Sequence, residues 1–360
     1  MGGAVETRSV DQPSRRRRRP GRRAGVAVLV VLALVVIGLG LARPWSHGSA
    51  VALPVLPSVA PQPLPDVASG VYCGGTGTSC VTSFEQWRGR SVGIVGAYLP
   101  QSTWADIQVP AWWAQTWASS PYRDRMLITV PMLPNLTWTT MSAGAQGQYD
   151  VYFRHTALNL VAAGLGNAWI RIGPELNGTW FRWSAQPDPL AYQEYFRHIV
   201  DAMRSVPGQS FRFDWNVAVG GDLHMDATLA YPGDAYVDAI GEDVYDMKWN
   251  DPHSTPESRW DHLVDPTGPT AQGLEFWARF AAQHDKPLSY GEWGLVGPGS
   301  PMAKGGGGGD DPAFIDHMHQ WFGTHTTAFE VYFNRNPPDG RHVIDDGSFP
   351  QAAARYQQLF

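Results

Sequence analysis

The chain has 360 residues, enough for one large domain with appendages. Its net charge is −6 and only 17% of its residues are charged, which excludes nucleic acid as a partner for the body of the chain. Aromatic residues reach 12% and include 16 tryptophans, more than a core of this size requires, and surplus indoles suit ligands with flat apolar faces.

Residues 1–23 are polar and end in a basic cluster, Arg15 to Arg19 followed by Arg22 and Arg23. Residues 24–42 are nineteen consecutive apolar or glycine residues without a charge. A helix of that length spans about 28 Å, enough for the hydrocarbon core of a bilayer. The arginines keep the preceding tail cytoplasmic, so the body of the chain is expected outside the membrane. A cleaved signal peptide is the rival reading. The run is long for one, and Arg43-Pro44 follows it without a small-x-small site, so an uncleaved single-pass signal-anchor is expected. Residues 43–67 are rich in proline (Pro44, Pro54, Pro57, Pro61, Pro63, Pro65) and read as an extended linker.

Cys73 and Cys80 lie in a glycine-rich stretch with no histidine beside them. In an exported domain a small stapling disulfide is a better use of such a pair than a metal site. From about residue 68 to 360, short apolar runs alternate with longer amphipathic stretches. Strands are predicted near residues 70–73, 91–98, 126–132, 168–172, 211–217, 237–241, 287–290 and 328–333. Asp188-Pro189 and Asp311-Pro312 supply helix starts, Asp as cap and Pro at the first helical position. Eight strands in such a span predict an α/β fold of the (β/α)8 TIM-barrel kind. A doubly wound open sheet is the alternative, but no GxGxxG follows an early strand.

Two carboxylates stand at strand tips in this scheme. Residues 168–184 read AWIRIGPELNGTWFRWS and place Glu175 just past the fourth strand, with Asn177, Trp180 and Trp183 beside it. Residues 289–294 read SYGEWG and place Glu292 just past the seventh, beside Trp293. A lone Glu after a strand is more often a helix cap or a surface charge. Two of them, each flanked by indoles and brought to one rim by barrel closure, point instead to glycoside hydrolysis. There one carboxylic acid protonates the leaving oxygen and a second carboxylate attacks as nucleophile. Glu175 is the expected acid/base and Glu292 the expected nucleophile. Tyr245, at the tip of the sixth strand, is placed to donate a hydrogen bond to Glu292 and hold it charged. Arg171, if its side chain points to the barrel interior, lies beneath the acids and favours ionisation of the nearer one.

The stretch RIGPELNGTWFRW resembles the acid/base segment of glycoside hydrolase family 26, a clan A group best known for endo-β-1,4-mannanases. Arg171, Glu175, Asn177, Gly178, Trp180 and Trp183 carry the resemblance. It implies that Glu292 is the nucleophile, that Tyr245 contacts it, that anomeric configuration is retained, and that no metal or organic cofactor takes part. The family's histidine just before the acid/base is replaced here by Pro174. The resemblance makes β-mannan the first substrate expectation, the Pro174 departure favours xylan, glucan or a furanoside as alternatives, and a non-catalytic polysaccharide-binding surface protein is the rival of another class.

Trp104 is a further candidate sugar platform, whereas Trp112, Trp113 and Trp117 sit at helical spacing and read as packing. The five-glycine run at 305–309 lacks the Lys and Ser/Thr of a phosphate cradle and reads as a mobile rim loop. A monomer with a polysaccharide substrate is expected.

Overall fold

The computed structural model describes residues 67–74, 77–220, 223, 225–267, 271–301, 305–338 and 340–360. The basic tail, the apolar run at 24–42 and the proline-rich linker up to residue 66 lie outside the described residues. Among the described residues no helix is long and apolar enough to cross a membrane.

Eight parallel strands close into a barrel in sequence order: β1 (Ala68–Tyr72), β2 (Ile94–Tyr98), β3 (Met126–Val130), β4 (Trp169–Ile172), β5 (Arg212–Ala218), β6 (Ala239–Asp246), β7 (Leu288–Leu295) and β8 (Thr327–Phe333). The helices between them are α1 (Ser79–Arg88), α2 (Trp104–Ile107), α3 (Ala111–Ala118), α4 (Met141–Ala145), α5 (Asp150–Ala162), α6 (Pro189–Arg204), α7 (Pro256–Val264), α8 (Leu274–Gln283), α9 (Pro312–Thr324) and α10 (Pro350–Leu359). The predicted helix starts are in place: Asp188 caps α6 through the Ala191 N–H, and Asp311 caps α9 through the N–H groups of Ala313 and Phe314. Cys73 and Cys80 are joined as a disulfide between the end of β1 and the first turn of α1.

Both faces of each strand are covered, one by the barrel interior and one by the helices, which is why the strands read as apolar runs. The N-terminal ends of the strands fill the interior with Ile94, Leu127, Trp169, Ala239 and Phe329, the Trp169 and Phe329 rings meeting at 5.1 Å. Above this apolar floor the interior turns polar, with Arg171, Asp214, Asn216, Asp243 and Ser289 all buried. An apolar floor under a polar top confines charge to the C-terminal mouth, where barrels of this kind carry their sites.

Three differences from the sequence expectations bear on the site. First, β6 and β7 each end five residues further than predicted, so Tyr245 and Glu292 stand within strands rather than beyond them. Second, β7 holds one residue more than its neighbours between matched positions. Gly241 and Asp243 of β6 face Ser289 and Glu292, and Glu330 and Tyr332 of β8 face Tyr290 and Trp293. This bulge breaks the alternation of side chains. Third, the glycine run is pinned. Gly307 bridges to Met247, the Gly308 N–H donates to Asp246 O at 2.9 Å, and the Gly309 N–H donates to Val296 O at 3.0 Å. A Cβ at Gly307 would lie 2.0 Å from the Val296 carbonyl oxygen, so close backbone approach accounts for the glycine there.

Candidate active site

Glu292 receives three donors. Tyr98, the last residue of β2, donates to Oε1 together with Arg171 Nη1 at 2.7 Å, and Tyr245 Oη donates to Oε2 at 2.7 Å. The bulge makes this possible: Ser289 points inward to Asp214 and Tyr290 outward to Glu242, and the extra residue lets Glu292 point inward again while Trp293 points out. Burial pushes the Glu292 carboxyl up, but the Arg171 charge and the hydrogen bonds from Tyr98, Arg171 and Tyr245 outweigh it and hold the group below the usual range. Burial and then the Glu292 charge push the phenols of Tyr98 and Tyr245 well above their ordinary value, so both stay protonated as donors.

Arg171 is fully buried, on the inward face of β4. Its guanidinium also donates to Asp243 and, through Nη2, to Asn216 Oδ1 at 3.0 Å, and its Nε lies 3.9 Å from Asp214. Room for the long side chain comes from glycine: a Cβ on Gly291 would lie 2.7 Å from Arg171 Nε, and one on Gly241 would lie 2.4 Å from Asp214 Oδ1. Burial lifts Asp214 to about 6 against the pull of Arg171 and Ser289. Burial also lifts Asp243 well above the carboxylate range, and the charges of Glu292 and Glu175 add to that. Of these carboxylates around Arg171, Glu292 is thus the one held below its usual range.

Glu175 sits three residues past β4 on a sharp turn, with Gly173 at φ 48° and Glu175 itself at φ 53°. A left-handed backbone costs a non-glycine residue about 1–2 kcal/mol and persists only when its surroundings impose it. They do. The Glu175 N–H donates to Asn216 Oδ1 at 2.9 Å, and Asn177 exchanges two bonds with Ala218, to its O at 2.9 Å and from its N–H at 2.8 Å. Trp180 Nε1 donates to Glu175 Oε2 at 2.5 Å while the residue stays 56% exposed.

Several predicted contacts fall elsewhere. Asn177 is buried and fastens the turn to β5 instead of facing a ligand. Trp183 is buried with its Nε1 on the Pro174 carbonyl at 2.8 Å and its ring stacked on Phe181. Trp293 points to the helices and donates to Glu330. Trp104 is packed flat on Tyr152 at 4.1 Å. These three indoles serve packing, because the face of the strand or helix that bears them is covered. Trp180 is the predicted indole left open beside an acid. Tyr98 and Asn216 were not singled out from sequence; their signal was only a polar residue near the C-terminal end of a strand, in GAYLP and DWNVA. Asp246, in the same strand as Tyr245, faces outward to Arg259 at 2.6 Å.

Residues 167–265 match the model of glycosyl hydrolase family 26. A mannan endo-1,4-beta-mannosidase of Bifidobacterium adolescentis is 28% identical over 185 residues, covering 46% of this chain and 18% of that protein. This chain therefore spans under a fifth of the length of that relative. Among solved structures, an endo-beta-1,4-mannanase double mutant of Cellulomonas fimi superposes with a TM-score of 0.59 at 17% identity, covering 81% of this chain and 70% of that one. A family 26 β-mannanase of Bacteroides ovatus gives 0.58 at 14% identity, covering 82% of this chain and 90% of that one. At such identities the structures establish the barrel fold. The matched stretch runs from β4 to α7, carries Arg171, Glu175, Asn216, Asp243 and Tyr245, and is similar to glycosyl hydrolase family 26, the family its sequence pattern resembles.

Proposed function

We propose that this protein is a retaining glycoside hydrolase acting on β-linked polysaccharide, β-1,4-mannan first, with Glu292 as nucleophile and Glu175 as acid/base. The observation that carries the reading is the state of Glu292: a carboxylate at the barrel mouth kept ionised by Arg171, Tyr98 and Tyr245, with a second carboxyl, Glu175, just past the C-terminal end of β4. Oε1 of Glu292 accepts two donors and Oε2 one, so Oε2 keeps a lone pair for attack on the anomeric carbon.

In the first step Glu175 gives its proton to the glycosidic oxygen as Glu292 forms an ester bond to the sugar and the leaving chain departs. In the second, the Glu175 carboxylate takes a proton from water, the water oxygen bonds to the anomeric carbon, and Glu292 is released. Trp180 supports this assignment. Its indole N–H holds Glu175 in place, and its exposed ring offers a flat face to a sugar. Mannan is favoured by the mannanase activity of the Bifidobacterium relative and of the Cellulomonas and Bacteroides proteins. Pro174 in place of the family's histidine favours a change in sugar contacts next to the acid, and xylan, glucan and furanosides remain in the substrate panel for that reason.

The test is release of new reducing ends from a panel of β-mannan, galactomannan, β-1,3-xylan, mixed-linkage glucan, arabinan and galactan, with Glu292→Gln as control. Release by the wild type alone establishes the hydrolase and its substrate class. Binding of a glycan without turnover by the wild type would sink the enzyme reading in favour of a polysaccharide-binding protein. We further propose that residues 24–42 anchor the barrel on the outer side of a membrane, as the arginines before them direct. Recovery of the full chain in the soluble fraction after cell lysis would count against the anchor.

A further inference from the structure

Trp138 is the most exposed indole of the described residues that carry one, at 61%, and nothing in its own neighbourhood buries it. Exposing so large an apolar ring is unfavourable, and a loose surface loop would let it fold back onto the protein. The turn that bears it has no such freedom. The Arg182 guanidinium donates to the Pro134 carbonyl at 2.6 Å, to Thr139 Oγ1 at 3.1 Å and to the Thr139 carbonyl at 2.8 Å, and it also donates to the Leu136 carbonyl. On the other side the Asn135 N–H donates to the Gln101 carbonyl, in the loop after β2, at 2.7 Å. The turn between β3 and α4 is thus stapled to the loops of both neighbouring strands.

Arg182 lies two residues from Trp180, whose indole N–H is on Glu175. One short segment therefore holds the acid at one end and fixes the Trp138 turn at the other. β3 is also the strand opposite β7 in an eight-strand ring, so Trp138 and Glu292 belong to opposite sides of the barrel mouth. We propose that Trp138 is a second sugar-stacking platform of this site, binding units of a β-linked chain remote from the bond that is cut. The proposal rests on the hydrolase reading above and names where its polymer substrate is gripped. A rigid, exposed indole tied to the acid's own loop fits the C–H face of a pyranose, and the exposed residues beside it in the turn, Thr137 and Thr140, are polar.

The experiment compares the full chain with Trp138→Ala and Trp138→Phe on two probes, β-1,4-mannan and a 4-nitrophenyl β-1,4-mannobioside. The expected result for Trp138→Ala is a KM on mannan raised about three- to tenfold, the scale of one lost stacking contact, with unchanged kinetics on the short glycoside. Trp138→Phe keeps most of the wild-type KM. Equal changes on both probes, or none on mannan, would overturn the platform. If the wild type cleaves neither probe, the mannan assignment fails on its own. The platform is then judged by mannohexaose binding to Glu292→Gln with and without Trp138→Ala, where a weaker double variant supports it and equal titrations refute it.

Discussion

The amide oxygen of Asn216 holds the backbone N–H of Glu175 at 2.9 Å, so the backbone of the acid is fastened directly to the neighbouring strand. The same oxygen accepts Arg171 Nη2 at 3.0 Å, which ties the acid's backbone to the cation that charges Glu292. Asn216→Ala should therefore displace both carboxylates at once. We expect kcat to fall by about 10²-fold, the cost of ångström-scale misplacement, with the barrel still folded by circular dichroism. A variant with wild-type kcat would show that the turn is held by Asn177 alone.

Glu175→Ala separates the acid role from the base role. On mannan, whose leaving group is an alkoxide, the loss should be about 10²–10⁴-fold, the usual worth of general acid catalysis. On a 2,4-dinitrophenyl glycoside the first step needs no proton, so glycosylation should persist and dinitrophenol should appear as a burst, one equivalent per enzyme. Equal losses on both substrates would remove Glu175 from the role of acid.

The donors on Glu292 should be visible in the pH profile. Glu292 must be ionised to attack, so the acidic limb of kcat/KM follows its pKa, which Tyr98 and Tyr245 help to hold down. Removing either hydroxyl raises that pKa and moves the limb to higher pH. A hydrogen bond to a charged group is worth about 1.5–3 kcal/mol, so Tyr245→Phe or Tyr98→Phe should shift the limb upward by about one to two pH units. A downward shift, or none in either variant, would contradict the assignment.

Glu330 offers a test of stability apart from catalysis. It is fully buried on the outward face of β8, accepts the Trp293 indole N–H, and is pushed up to about 7 by burial. Its folded pKa lies above its unfolded one. The native state therefore keeps a proton that the unfolded chain releases, and this contribution is present below about pH 4.5 and lost as pH rises towards 7. Glu330→Gln lacks the titration. Its stability relative to wild type should rise across that window by about 3 kcal/mol in urea unfolding. Parallel curves for the two proteins would exclude Glu330 as the source.

The barrel was legible because its strands are apolar on both faces and two of its helices, α6 and α9, open on Asp-Pro pairs, signals that depend on nearest neighbours in the chain. The tips carrying Glu175 and Glu292 were legible for the same reason. The sorting of the indoles was not. Trp183 and Trp180 stand three residues apart in one loop, yet one is buried against Phe181 and the other is open, and only the path of the turn at Gly173 decides which. Tyr98 and Asn216 escaped because each acts on a residue of another strand, and no spacing in the sequence records that approach. Arg171 stood open between two faces until the ring of strands closed around it.

The extra residue in β7 makes the chemistry depend on counting. Were β7 to pair in strict alternation at its present length, the barrel could still close, but Trp293 would swing into the mouth and the carboxylate would be delivered among the helices beside Tyr290. A substitution elsewhere in the site weakens a contact that its neighbours can partly replace. Straightening the strand here at unchanged length would reverse the address of every side chain after it, so the bulge matters to the chemistry as much as the residues it orients.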